Sequence, residues 1–380
     1  MQTSFGPLAA LAVVATAPRL LLAADPAAAP APKAPSWADT LAAWGITANG
    51  YVASSYYVSN GYPFNIHQFD TRHDTFQLDQ AGLTVAYQPK QGFGALVDVM
   101  AGEDAKSLNA AENGSGVFDI RQAYLQYATG PLTLIAGKFV TLAGAEVINP
   151  TQNTNFSRSL LFFENEPLTH TGVRATFAAT DTFNLIAGVN NGWNVMSTDY
   201  GSKTGEVGIG WTPNKTFSLT AQSYFGKTEF IPGTPVRVDA ERTLVDVVAT
   251  YNATSALTFI VNGDWDRQDH ALGTGSPAAT WYGVAGYANY AFNAKWRVSG
   301  RIEYLDDKDG FATGAPNGQH LWEGTVTLGF APVSSFELRL EGRYDTAQID
   351  TFYRTAQAAA SGVPDGDSLS EVALQGVFKF

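Results

Sequence analysis

The segment SFELRLEGRYD alternates from end to end. Phe336, Leu338, Leu340, Gly342 and Tyr344 fall on one side, and Glu337, Arg339, Glu341, Arg343 and Asp345 on the other. A two-residue period sends successive side chains to opposite faces of an extended strand. The same period returns from Gly45 onward. Phe217, Leu219, Ala221 and Phe225 alternate with Ser218, Thr220, Gln222 and Tyr224. Val245, Val247 and Ala249 alternate with Leu244, Asp246 and Val248. Leu257, Phe259, Val261, Gly263 and Trp265 alternate with Thr258, Ile260, Asn262, Asp264 and Asp266. Trp296, Val298, Gly300, Ile302 and Tyr304 alternate with Arg297, Ser299, Arg301, Glu303 and Leu305. The final EVALQGVFKF keeps the pattern, with Val372, Leu374, Gly376, Phe378 and Phe380 on one side.

One such strand fits a soluble sandwich. Many of them, with aromatic residues near the ends of the apolar faces, fit a bilayer better. Each run is about 9–11 residues, the length a tilted strand needs to cross the hydrocarbon, and aromatic girdles belong at the two interfaces. The connections alternate as well. Short ones fall at QPKQG, TGP, ATDT, PNKT, NATSA, FNAK and APVSS. Long polar ones span roughly 59–74, 102–116, 141–170, 196–203, 229–241, 269–279, 306–320 and 348–367. Short turns on one side and long loops on the other are the pattern of outer-membrane barrels. The spacing predicts an all-β transmembrane antiparallel barrel of about sixteen strands. The last strand is expected to pair with GITANGYVASSYYV, which removes both edges. A barrel of that size leaves an aqueous channel.

The composition is compatible with this reading. Mean hydropathy is −0.07, as expected where half of each strand faces lipid and half faces water. The net charge of −12 argues against nucleic acid as a partner, and there is no cysteine for a disulfide scaffold. Residues 1–24 read as an export signal with an apolar core, FGPLAALAVVATA, although no Lys or Arg precedes it. Residues 25–44 read as a Pro/Ala linker and a short helix at WADTLAAW, and 45–380 as the barrel.

The segment FDIRQAYLQYATGPLTLIAGKFVTLAGAEVINPTQNTNFSRSLLFFENEPLTHTGVRATF, with VNNGWNV after it, resembles the OmpL-like β-barrel porin family. The matching pieces are GKF at Gly137–Phe139, GAEVI at Gly144–Ile148, NFSRS at Asn155–Ser159, HTGVR at His170–Arg174 and NGW at Asn191–Trp193. The resemblance implies a pore-forming protein of the Gram-negative outer membrane and says little about the solute. Two positions depart from the pattern, Leu142 in place of Pro and Asn194 in place of an acid.

The expected activity is passive diffusion of small hydrophilic solutes or ions, with no covalent chemistry, cofactor or metal. The longest connection, 141–170, is too aromatic for plain disorder. It is expected to fold into the barrel and narrow it, with Glu146, Arg158, Glu164 and Glu166 at the constriction. The inward row of Asp246, Asp264, Asp266, Arg297, Arg301, Glu303, Glu337, Arg339, Glu341, Arg343 and Asp345 is either a charged ladder guiding solutes or a set of paired residues that keeps the wall wet. The acid excess suggests a mild cation preference. His67, Asp70, His73 and Asp74 match no firm metal motif and read as a polar loop tip. Glu103, Asp104, Asp306, Asp307, Asp309, Asp365 and Asp367 read as solvated loop charge, with no complete calcium loop. Expected partners are outer-membrane lipid, the barrel assembly machinery through the strand ending at Phe380, and small polar solutes. A homotrimer is suggested by analogy alone. The alternatives are a structural or adhesive barrel with a plugged pore, and a barrel-top hydrolase using the His67 loop.

Overall fold

The computed structural model describes residues 37–62, 66–112, 114–198, 201–230, 237–271 and 275–380. The expected signal, and the linker up to residue 36, lie outside the described residues. Helix α1 occupies Trp37–Ala43.

Sixteen strands follow: β1 Ile46–Ser59, β2 Thr75–Tyr87, β3 Gly92–Ala101 and β4 Phe118–Thr129. Next come β5 Leu132–Val140, β6 Thr169–Thr180, β7 Phe183–Asn190 and β8 Thr204–Trp211. The chain continues through β9 Phe217–Phe230, β10 Arg237–Asn252, β11 Leu257–Gln268 and β12 Ala279–Ala291. It ends with β13 Trp296–Asp307, β14 Gln319–Val333, β15 Phe336–Ala347 and β16 Ser368–Lys379. Each strand pairs antiparallel with its chain neighbours, and β16 pairs with β1 to close the barrel. At the seam, Gly50 and Phe380 exchange two backbone hydrogen bonds of 2.9 Å. Closure leaves no row of unpaired backbone groups, which a bilayer would not satisfy.

Alternation places the two faces as the sequence requires. On β15, Leu338, Leu340 and Tyr344 are exposed while Arg339, Glu341, Arg343 and Asp345 are buried. Ile302, Val326 and Leu374 continue the outward apolar surface, each more than half exposed. Aromatic residues mark both of its ends. Trp265, Tyr282, Trp322 and Tyr344 lie toward the long loops; Tyr251, Phe259, Tyr290 and Trp296 lie toward the short turns. This is the amphipathic layering a bilayer selects.

The long connections, numbered loops 1–8 in chain order, cover 60–74, 102–117, 141–168, 191–203, 231–236, 269–278, 308–318 and 348–367. Two differ clearly from expectation. Loop 4 begins at Asn191, where positive φ at Gly192 and Asn194 ends the strand. Part of the loop expected at 229–241 belongs to strands, because β9 runs to Phe230 and β10 starts at Arg237; residues 231–236 lie outside the described residues. Among the described residues, three loops contain α-helices: α2 Glu103–Ala111 in loop 2, α3 Leu160–Glu164 in loop 3 and α4 Ala356–Ser361 in loop 8.

Two apolar clusters join loops to one another and to the wall. In one, Ile66, Leu160, Ala271 and Phe352, from four loops, pack with Trp281, Leu305, Leu321 and Leu369 of the strands. In the other, Phe69 of loop 1, Ala105 and Leu108 of α2, and Ile148, Phe162 and Leu168 of loop 3 surround Met100 of β3. The barrel thus carries a small dry core at its long-loop end, where burial of apolar area stabilises the loops.

Candidate pore-lining site

Loop 3 takes its shape from local caps. Asn149 accepts from the Thr151 N–H at a 3-10 turn over Pro150–Gln152, and Ser159 accepts from the Phe162 N–H at the start of α3. Arg158 is an internal clip. Its guanidinium donates to the carbonyls of Val147 (2.9 Å), Phe156 (2.8 Å) and Ile148 (3.0 Å) and lies over the rings of Phe69 and Phe162. Burial lowers its pKa, partly offset by Glu146, Asp104 and Asp70. The far end of the loop is held by Asn194, whose Oδ1 accepts from the N–H groups of Leu168 (2.7 Å) and Thr169 (3.0 Å). An amide can sit there at positive φ and bind two donors without bringing a charge.

The inward charges of β13–β15 satisfy the backbone of this loop. Glu341 accepts from the N–H groups of Phe156 (2.6 Å) and Ser157 (2.9 Å). Glu303 accepts from those of Leu160 (2.8 Å) and Leu161 (3.3 Å). The arginines take the carbonyls. Arg343 donates to Arg158 O (2.6 Å), Arg297 to Thr154 O (2.7 Å), Arg339 to Pro150 O (3.0 Å) and Arg301 to Ser157 O (3.1 Å). A loop inside a barrel has carbonyl and amide groups that water no longer reaches, and each needs a partner. Charged partners make the stronger bonds.

The charges also pair with one another. Arg301 lies 2.8 Å from Glu146 of loop 3, 3.0 Å from Glu323 and 3.6 Å from Glu303. Glu337 bridges Arg297 (2.6 Å) and Arg339 (2.9 Å). Arg343 lies 2.7 Å from Asp345. Asp266 accepts from Asn165 (2.7 Å), and Asn262 donates to both Asp246 and Asp264. Glu164 is half-buried with its Oε1 buried and unpartnered, and desolvation with nearby Asp307 holds its carboxyl well above the usual range.

Three sequence expectations need correction. His67 and Asp70 are not at a polar loop tip: both are buried, whereas Asp74 is exposed. His67 Nδ1 lies 2.7 Å from Asp70 and 3.6 Å from Glu371, and Nε2 lies 3.4 Å from Asp345, ion contacts without hydrogen-bond alignment. Loop 1 enters the lumen because its apolar neighbours Ile66 and Phe69 join the two clusters. Asp104 is likewise not solvated. It accepts from Gln80 (2.7 Å), and burial, followed by the charge of Asp79, raises its pKa. Asp307 is buried and accepts from the N–H groups of Phe311 (3.0 Å) and Thr313 (2.8 Å), holding loop 7.

Several lumen pairs escaped the sequence reading. Arg121 holds Asp98 at 2.7 Å, and Arg174 holds Glu206 at 2.8 Å while lying over Phe139. Strand parity carries Glu206 in TGEVGIGW. A bulge between Asp98 and Val99 breaks parity near Arg121. Elsewhere on β6–β9 smaller groups turn inward, among them Thr176, Asn184, Gly208 and Thr220, none of them buried.

Solved structures share the fold. An anion-selective porin from Comamonas acidovorans is 12% identical, with 88% of this chain and 99% of that one covered and a TM-score of 0.61. The outer-membrane protein OmpT of Vibrio cholerae in its trimer form is 13% identical, covering 88% and 99%, TM-score 0.60. The outer-membrane channel DcaP of Acinetobacter baumannii is 13% identical, covering 88% and 97%, TM-score 0.58. No curated protein matches the chain in sequence. Residues 45–380 match the family described as Putative beta-barrel porin-2, OmpL-like, and the chain belongs to that family of outer-membrane porins.

Proposed function

We propose that the barrel lets small hydrophilic solutes or ions diffuse through a water-filled lumen narrowed by loop 3, without covalent chemistry. The observation that carries this is the uneven attachment of the loop. Many of its bonds to wall side chains fall on β11–β15, with others on Gln80 of β2 and Tyr224 of β9, while β6–β9 also turn Thr176, Asn184, Gly208 and Thr220 inward, none of them buried. Water then has its path along the β6–β9 side. Lipid contacts the outward apolar surface, and β16 is the segment the assembly machinery reads. A homotrimer is the proposed assembly, because the similar OmpT structure is described as a trimer form. A mild cation preference follows from the excess of acids. Residues 1–24 serve as the export signal.

Steady ohmic steps from the purified protein in planar bilayers are the expected result. Replacing both Glu303 and Glu341 with glutamine weakens four backbone tethers of loop 3. Single-channel conductance should rise roughly twofold as the constriction loosens. Unchanged conductance in a folded double variant removes loop 3 as the constriction.

A structural barrel with a plugged lumen is the second reading. It is favoured by the dry clusters, in which several loops pack together at one end. Electrical silence at high protein concentration supports it against the channel.

A further inference from the structure

Loop 3 presses one carboxylate onto two others. Asp246 of β10 and Asp264 of β11 stand directly opposite each other in register, and both are buried. Between them, Asn262 donates to Asp246 Oδ2 at 2.7 Å and to Asp264 Oδ1 at 3.1 Å. The other oxygen of each acid, Asp246 Oδ1 and Asp264 Oδ2, has no hydrogen-bond partner. Glu166 arrives from the loop, only 6% exposed, and neither of its carboxylate oxygens has a partner. One oxygen from each of the three residues lies within 4.8 Å of the other two. Burial raises the Glu166 pKa, followed by the charges of Asp246, Glu146, Asp266 and Glu303, all of them acids.

The approach is built into the loop backbone. Gly144 has φ +88°, and a Cβ there would overlap the Glu166 carboxylate. Glycine both permits this conformation and leaves room for the acid. Four buried, unpartnered carboxylate oxygens, from a loop and two strands, form a convergent hard-oxygen donor set. Buried carboxylates need a counter-charge or a proton. Calcium accepts irregular all-oxygen coordination more readily than magnesium.

We propose that Glu166, Asp246 and Asp264 form a calcium site that fastens loop 3 to the barrel wall. The site is a matter of binding and holds whether or not the barrel conducts.

The test is calorimetric titration of calcium chloride into the full chain, refolded in detergent free of lipopolysaccharide and stripped with chelator. One saturable site is expected. Asp264→Asn should weaken it by about tenfold or more, because affinity follows the number of ligand charges. Glu166→Gln, in the loop rather than a strand, gives the same readout if the strand variant does not fold. Gly144→Ala should also weaken binding, since it displaces Glu166 without changing charge. Magnesium chloride should bind more weakly. The proposal is overturned if wild-type protein gives no saturable binding, as expected for acids that only share protons. It is also overturned if folded Glu166→Gln binds calcium as wild type does, which would place the ion on other acids, such as Asp306 at the end of β13 and Asp309 in loop 7.

Discussion

Replacing Arg301 with alanine is expected to destabilise the folded barrel by about 3–5 kcal/mol, the usual cost of stranding buried charges. Arg301 is buried among Glu146, Glu323 and Glu303. It also donates to Ser157 Oγ (3.0 Å), Arg158 O (3.3 Å) and Thr325 Oγ1 (3.3 Å), while Thr325 donates in turn to Glu323. Truncation leaves three carboxylates close together without this guanidinium between them and removes Arg301's own bonds to loop 3. Lysine at this position keeps the charge but loses the planar fork, so Arg301→Lys should recover only part of the loss. Urea unfolding in micelles, followed by tryptophan fluorescence, measures both. A wild-type midpoint for Arg301→Ala would mean that the network contributes nothing net.

Raising the pH through about 10 is expected to release loop 1. Burial and the charge of Arg343 pull the His67 pKa down, but Asp70, Glu371 and Asp345 outweigh them and lift it from 6.5 to about 10. His67 is therefore an imidazolium in the folded protein at neutral pH. A group whose pKa rises on folding gives stability that is complete below its unfolded value, near 6.5, and is lost as pH passes its folded value. The groups facing it are Asp70, Asp345, Glu371 and Arg343, with Glu323 3.9 Å from Arg343. His67→Gln, which cannot take the charge, should lose stability on the order of 4 kcal/mol at neutral pH. It should also lack the wild-type decline toward pH 10. Urea midpoints across the alkaline range compare the two proteins, and parallel curves would exclude His67 as the titrating group.

The strands were legible because lipid and lumen impose unlike faces, and a period of two records that difference at residues such as Leu340 and Glu341. The inward row named from sequence is buried or half-buried as parity requires. What parity could not reveal is the occupation of these charges. Glu303 and Arg343 look alike in sequence whether they meet water or loop backbone. The His67 loop was misread for a similar reason: local polarity does not report that Ile66 and Phe69, on either side of the histidine, find distant apolar partners. Asp104 and Asp307 were misread because a carboxylate that meets a distant side chain, as Asp104 meets Gln80, or caps a turn, as Asp307 does, has the same local composition as one in solvent.

The β1–β16 seam has a kinetic consequence. Every other neighbouring pair in the barrel joins strands consecutive in the chain, whereas the seam brings Gly50 to Phe380. Hairpins can form early at small entropic cost, but ring closure must bring together segments separated by nearly the whole barrel sequence. Until that zipper shuts, the growing sheet has two sticky borders, so the interval before closure is when the polypeptide is most exposed to self-association.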